Sequence, residues 1–217
     1  MRDVNGIMVR DTLEELLDPA VTAVICVDIQ NDFCHPEGAY ARHGKDMSLV
    51  RERLPGMVAF VQGAQRAGVP VAFIQQLTLP DNRSDSPAWL RFKTRDGKAP
   101  SYTTKGTWGA EFVEGLEPGP RDWVVEKFRP DAFHKTCLDL VLRAKGIETV
   151  LVLGVITEGC VESTVRAASY HDYYTLVLAD GVASPNLLQH EGSMNLYQVR
   201  YPLVDSAQVL SIWGQGR

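Results

Sequence analysis

The chain is poor in every feature that marks a specialised environment. Four cysteines among 217 residues, Cys26, Cys34, Cys137 and Cys160, form no CxxC pair and no metal-finger spacing. A chain long enough to bury a sizeable core does not need disulfides, so free thiols are expected. The five histidines, His35, His43, His134, His171 and His190, are scattered rather than set at ligand spacing. Surface or capping roles are expected for them, and no metal site. The longest apolar runs, "AVTAVICV" and "TVLVLGVI", fall far short of the roughly 20 residues needed to span a bilayer. The opening "MRDVNGIMVRDTLEELL" lacks the apolar core of a signal peptide. A cytoplasmic protein without a membrane partner is the expectation. Basic side chains do not exceed acidic ones (22 against 27), which removes the electrostatic pull toward nucleic acid and favours a small soluble partner. Internal repeats, low-complexity tracts and linkers are also missing. One domain over residues 1–217 is expected, with residues 1–20 as an N-terminal extension holding one short helix.

What is present is an alternation. The β-rich runs "AVICVD" (23–28), "PVAFIQ" (70–75), "WVVEK" (123–127), "TVLVLG" (149–154) and "YTLVLAD" (174–180) read as buried parallel strands. Between them lie "LPGMVAFVQGAQRAG", with Pro55 placed in a first turn and Gly68 at its end, "TCLDLVLRAKG", closed by Gly146, and "CVESTVRAASYHDY". Parallel strands need crossovers, so the pattern predicts an α/β fold with three αβα layers around a mostly parallel sheet. The stretch 77–121, rich in proline, glycine and charge and carrying Trp89 and Trp108, exceeds ordinary connection length. It is expected to cover a functional site.

Ligands of open parallel sheets bind beyond the carboxyl ends of the strands. Asp28 closes the first strand, Lys127 closes "WVVEK", and Cys160 follows "TVLVLG" after a short turn. The trio suggests nucleophilic catalysis. A cysteine at a helix N-terminus beside a lysine is expected to have a lowered pKa, and a carboxylate can carry its proton. On position alone each residue has a plainer reading: Cys160 as a small buried apolar group, Asp28 as a cap or turn residue, Lys127 as a solvated strand end.

The stretches "VICVDIQNDFC", "VVEKFRPDAFHKTCLDLVLRAKGIETVLVLGVITEGCVESTVRAA" and "YTLVLADGVAS" resemble the isochorismatase-like cysteine hydrolases. That group includes nicotinamidase, N-carbamoylsarcosine amidohydrolase, ureidoacrylate amidohydrolase and biuret hydrolase. The resemblance covers about residues 20–185 and implies an Asp28–Lys127–Cys160 triad. It further implies a cis peptide before Ile156, with the N–H groups of Ile156 and Cys160 forming an oxyanion hole. The implied reaction is attack of the Cys160 thiolate on an amide or ureido carbonyl, protonation of the departing ammonia or amine by Asp28, and hydrolysis of the thioester, with no cofactor. Members acting on isochorismate do not need this cysteine, so Cys160 favours the amidohydrolase branch.

Metal-binding nicotinamidases carry an Asp-x-His pattern after the second strand, where this chain reads "FIQQLTLPDN". "VITEGCVESTVR" and "KGTWGAEFVEGLEPGPRDWVVEKFRPDAF" are similar to the ureidoacrylate and biuret hydrolase branch instead. Phe33, Gln76 and Trp108 are candidate pocket residues, an aromatic wall with one amide for a small planar substrate. Arg129 could meet a substrate carboxylate or, the slightly preferred reading, form a structural pair with Asp131 or another carboxylate. Glu162 and Arg166, four apart, are expected to form an ordinary intrahelical ion pair. Related enzymes are commonly homodimers or homotetramers. The alternatives are a non-catalytic binding protein or thiol redox sensor on the same fold, and an isochorismatase- or nicotinamidase-type hydrolase.

Overall fold

A computed structural model describes residues 1–94 and 101–215. Its centre is a six-stranded, all-parallel sheet built from β3 (Thr22–Val27), β4 (Val71–Gln76), β5 (Trp123–Lys127), β6 (Thr149–Val155), β7 (Tyr174–Ala183) and β8 (Leu203–Val204), in the spatial order β5-β4-β3-β6-β7-β8. The five strands expected from the sequence are present to within a few residues.

Strand alternation divides the core into two layers, because successive side chains leave a strand on opposite faces. Val24 and Cys26 of β3 join Phe73, Leu151 and Leu153 under the helix Ser48–Ala67 and the C-terminal helix Ser206–Gln215. Ala23, Ile25 and Val27 join Ile74, Val125 and Val152 on the other face, under helices Leu138–Ala144, Glu162–Tyr170 and Leu187–Arg200. Numbered in chain order, the helices are α1 (Leu13–Leu16), α2 (Asn31–Cys34), α3 (Ala39–Arg42), α4 (Ser48–Ala67), α5 (Pro87–Lys93), α6 (Leu138–Ala144), α7 (Glu162–Tyr170), α8 (Leu187–Arg200) and α9 (Ser206–Gln215). The order β3-β6 at the sheet centre is where the winding direction reverses, and this crevice is where a parallel sheet opens to a ligand.

One local expectation needs correction. The helix expected over 54–68 begins at Ser48, where Asp46 Oδ1 accepts from Ser48 N (2.9 Å), so Pro55 lies inside α4 and not in its first turn. Pro55 has no N–H, and one backbone bond of the helix is forgone there. Gly68 closes α4 in the left-handed conformation (φ 86°), as expected. Residues 1–20 hold more than a short helix: β1 (Arg2–Val4) and β2 (Ile7–Val9) form a hairpin around Asn5 and Gly6, both with positive φ. That dipeptide is the strongest short-range hairpin signal, and the expected short helix follows the hairpin. Only α1, capped by Thr12 and Glu15, is helical. The stretch 77–121 holds α5 and two single turns, Pro80–Asn82 and Trp108–Ala110, while its residues 95–100 lie outside the described residues.

Candidate active site

Four neighbouring strands end in four polar side chains. Across the sheet edge run Lys127 from β5, Gln76 from β4, Asp28 just beyond β3, and Cys160 beyond β6. Asp28 leaves the strand with φ 54°, a left-handed conformation that few residues other than glycine adopt. Its N–H donates to the Ile74 carbonyl (3.1 Å), and its own carbonyl accepts from Gln30 N (2.8 Å). The carboxylate is thereby fixed from both sides. Gly154 lets β6 close on β3: at φ 127° it faces Val27, and a Cβ there would lie 2.1 Å from the Val27 carbonyl oxygen.

The three titratable groups form one cluster, with Asp28 and Lys127 buried and Cys160 partly buried. Lys127 Nζ donates to Asp28 Oδ2 (2.7 Å), Gln76 Oε1 (2.9 Å) and the Arg129 carbonyl (3.2 Å), and both Lys127 and Asp28 are shielded from solvent. Gln76 is itself clamped, its N–H to Gln30 Oε1 (2.9 Å) and its carbonyl to Gln30 Nε2 (3.0 Å). Among the described residues no well-aligned donor meets Asp28 Oδ1. The thiol of Cys160 is coupled to both Asp28 and Lys127.

Burial is the largest influence on each group, because it disfavours the charged forms of acids and bases alike. It pushes the Asp28 carboxyl above the usual carboxylate range against the opposing charge of Lys127. For Lys127, burial acts downward, yet the Asp28 carboxylate, the thiol and their hydrogen bonds hold the ammonium above its ordinary range. Burial and the Asp28 charge push the Cys160 thiol up, with Lys127 opposing. The expected lowering at Cys160 is therefore corrected. Burial and the negative charge of Asp28 outweigh the Lys127 ammonium. The position also differs in detail: Cys160 lies within a single π-helical turn, Thr157–Val161, and α7 proper starts at Glu162. Such turns recur at functional sites.

The turn into Cys160 is held from α8. The Val155–Ile156 peptide is cis, as the resemblance implies. Thr157 Oγ1 shares a hydrogen bond with His190 Nδ1 (2.8 Å), the Thr157 carbonyl accepts from Tyr197 (3.1 Å), and Glu158 accepts from Ser184 (2.9 Å). His190 is thus buried, and the surface or capping role expected for it is corrected: its ring supports this turn. Burial, and secondarily Arg53, lower its pKa. Glu162 and Arg166 form the expected ion pair (2.8 Å).

A cavity of about 130 Å³ opens over Asp28 and Cys160. Phe33 and Gln76 line it, as expected from the sequence, and so do Ile156 and Val155. Trp108 does not. It is 44% exposed, its ring stands edge-on against His35, and its carbonyl accepts from Asn31 Nδ2 (2.9 Å). Arg129 also lies outside: its guanidinium donates to the Phe128 (2.5 Å) and Ser84 (3.1 Å) carbonyls and stacks behind Trp89. The expected pair with Asp131 is not formed. Asp131 accepts from Phe133 N (2.7 Å), which leaves backbone carbonyls to satisfy the guanidinium. The sequence reading missed Tyr40, Trp89, Phe92, Tyr102 and Pro130, which complete the wall. The tryptophan of the long stretch that matters is Trp89, held parallel to Phe92 on α5 (4.9 Å).

The "QND" of the first motif holds the covering segment. Gln30 Nε2 donates to the Ala110 carbonyl (2.7 Å), Asn31 donates to Trp108, and Asp32 accepts from Thr103 N (2.6 Å) and Ala39 N (2.9 Å). Gly109 is obligatory beneath this clamp, since a Cβ would lie 2.2 Å from Asp32 Oδ2.

Known proteins share this arrangement of elements. A ureidoacrylate amidohydrolase of Methylobacterium radiotolerans is 35% identical over 192 residues, 83% of this chain and 74% of the relative. An isochorismatase-like hydrolase from Alkaliphilus metalliredigens superposes with a TM-score of 0.75 at 26% identity, covering 89% of this chain and all of that one. N-carbamoylsarcosine amidase from Thermoplasma acidophilum gives a TM-score of 0.64 at 26% identity over 85% of this chain and 96% of its own. The isochorismatase domain model matches residues 22–208, from the start of β3 into α9. The chain belongs to the isochorismatase family.

Proposed function

We propose that this chain is a cysteine-dependent hydrolase that cleaves a C–N bond of a small amide or ureido substrate through a thioester. One observation carries the reading: a thiol, a carboxylate and an ammonium from three strand ends meet beneath an otherwise apolar cavity. The names of the relatives, a ureidoacrylate amidohydrolase and an N-carbamoylsarcosine amidase, support an amide-type bond as the target.

Asp28 receives the thiol proton as Cys160 Sγ adds to the carbonyl carbon. The N–H groups of Ile156 and Cys160 receive the oxyanion. The Asp28 carboxyl then returns the proton to the leaving nitrogen, the C–N bond breaks, and ammonia or an amine departs. Water, giving a proton to Asp28, adds to the thioester; the C–S bond breaks and the thiol is restored. Lys127 holds Asp28 in place and balances its charge throughout. Burial and the Asp28 charge push the Cys160 thiol up, which is unlike the low-pKa thiol on which a redox sensor relies.

Exposed apolar residues, among them Ile7, Leu140, Tyr170, Leu188 and Val199, support assembly as a homo-oligomer, read by light scattering across a concentration series. Among the described residues no helix is long and apolar enough to cross a membrane, which supports the cytoplasmic reading.

The test is ammonia release together with mass spectrometry of the quenched enzyme. Cys160→Ser, Asp28→Asn and Lys127→Ala are each expected to lose at least about a hundredfold in rate, and the acyl group is expected on Cys160. A variant that kept near-parental rates would remove its residue from the scheme.

A further inference from the structure

Behind the Trp89 wall of the catalytic cavity lies a second, larger depression of about 270 Å³, which the proposed reaction does not use. Among the described residues it is lined by Leu79, Ser84, Phe128, Arg129, His134 and Lys135, so an arginine, a lysine and a histidine converge on one space. Arg129 is its fixed member. The guanidinium donates to the Phe128 (2.5 Å) and Ser84 (3.1 Å) carbonyls, and its face lies over the Trp89 ring, which together hold it in one orientation. A guanidinium has more N–H donors than these two carbonyls take, and the same bonds cover the carbonyl oxygens that would otherwise repel an anion. Lys135 and His134 stand exposed at the rim, on a turn where Lys135 holds a left-handed backbone (φ 56°) that side-chain-bearing residues rarely adopt. The carboxylates nearest to these residues in the chain are engaged. Asp131 accepts from Phe133 N (2.7 Å), and Asp85 is paired with Lys93 (2.8 Å) and accepts from Ser84 (3.3 Å).

A preoriented guanidinium with an ammonium beside it is a donor set for an oxyanion: the fork meets two oxygens and the ammonium acts as a point charge. Two permanent positive charges match a dianion better than a monocarboxylate, and an imidazole brings a further N–H in either protonation state. We propose that this depression binds a phosphate dianion, free or as a monoester, and that Arg129 links its occupation to the catalytic cavity. The link is short. The guanidinium lies 5.0 Å from the centre of the Trp89 ring, which lines the cavity, and the Arg129 carbonyl accepts from the Lys127 ammonium (3.2 Å). An anion that draws the guanidinium toward itself loosens both carbonyl bonds and changes the surface against which Trp89 rests.

The experiment is calorimetric titration of the whole chain with inorganic phosphate, phenyl phosphate and acetate at matched ionic strength, with tryptophan emission followed in parallel. One phosphate per chain is expected, with a dissociation constant of about 1 mM or lower and acetate at least about tenfold weaker. Lys135→Gln, at an exposed residue outside the reaction scheme, is expected to weaken phosphate about tenfold, and Lys135→Arg, which keeps the charge, to preserve it. Phosphate is expected to shift the emission of the parental chain and not that of Trp89→Phe. Equal binding of the two phosphates supports a site for the free ion, and a preference for phenyl phosphate supports a monoester whose organic part rests on Leu79 and Phe128. Failure to saturate, acetate binding as tightly as phosphate, or indifference to Lys135→Gln would overturn the site. Binding without a Trp89-dependent emission change would overturn the link to the cavity. The hydrolase reading is tested separately, by the acyl group on Cys160, and stands or falls without this site.

Discussion

At the scale of residues, burial pushes both the Asp28 carboxyl and the Cys160 thiol up, and catalysis depends on moving one proton between them. The sign of the pH dependence follows. Burial raises Asp28, so its carboxylate is protonated at a higher pH than an ordinary aspartate, whose value is about 3.9. A protonated Asp28 is no longer basic enough to take the thiol proton, so kcat/KM is expected to fall as pH drops through that raised value. The acid midpoint therefore lies above the usual aspartate range, and it belongs to the coupled cluster rather than to Asp28 alone. The resting thiol makes a companion expectation: at neutral pH the free enzyme shows no more thiolate absorbance in the ultraviolet than Cys160→Ala does. A midpoint at or below the ordinary aspartate value, or a thiolate signal lost with Cys160, would contradict this assignment of charges.

At the scale of elements, the covering segment depends on one short helix. Asp32 on α2 ties Thr103 and Ala39, and its neighbours Gln30 and Asn31 tie Ala110 and Trp108. Asp32→Ala removes the acceptor from two buried N–H groups, a loss of about 1–3 kcal/mol for each group left without a partner. Since the segment carries Tyr102 into the cavity wall and no proton-transferring group, KM is expected to rise about tenfold while kcat changes less, and protease cleavage within 101–110 to quicken. Unchanged KM and unchanged cleavage would show that the segment holds its place without Asp32. The same elements explain what was legible beforehand. Asp28, Lys127 and Cys160 could be read because strand ends are fixed by local hydrophobic patterning, and a parallel sheet gathers its strand ends on one edge. Tyr40, Trp89 and Tyr102 could not, because their meeting depends on the path of an irregular segment, and no periodicity encodes a path. Trp108 misled for the same reason: its bulk suggested a wall, but the Asn31 bond and the His35 contact keep it outward. The turn support from His190 was hidden by distance, since His190 lies 33 residues beyond Thr157 in the chain.

At the scale of the whole molecule, the all-parallel order β5-β4-β3-β6 places an ammonium and a carboxylate in the best-shielded part of the fold, and stability bears the consequence. Lys127 and Asp28 have side chains fully shielded from solvent, 2.7 Å apart. Removing one member leaves the other buried without its counter-charge, a loss typically near 3–5 kcal/mol, whereas replacing a buried pair by apolar groups of similar volume is often neutral or stabilising. Lys127→Met is therefore expected to lower unfolding free energy by about 3–5 kcal/mol, less whatever is recovered when Asp28 takes up a proton. The double variant Asp28→Leu, Lys127→Met is expected to return to near-parental stability while remaining inactive. Urea unfolding of the parental chain, both single variants and the double variant closes the cycle, with the slope of each transition checked for constancy. Additive losses in the double variant would mean that the two charges are stabilised independently of one another, Lys127 by Gln76 and the Arg129 carbonyl. Recovery would mean that the pair is held by the fold for the sake of its chemistry, at the expense of a more stable apolar core.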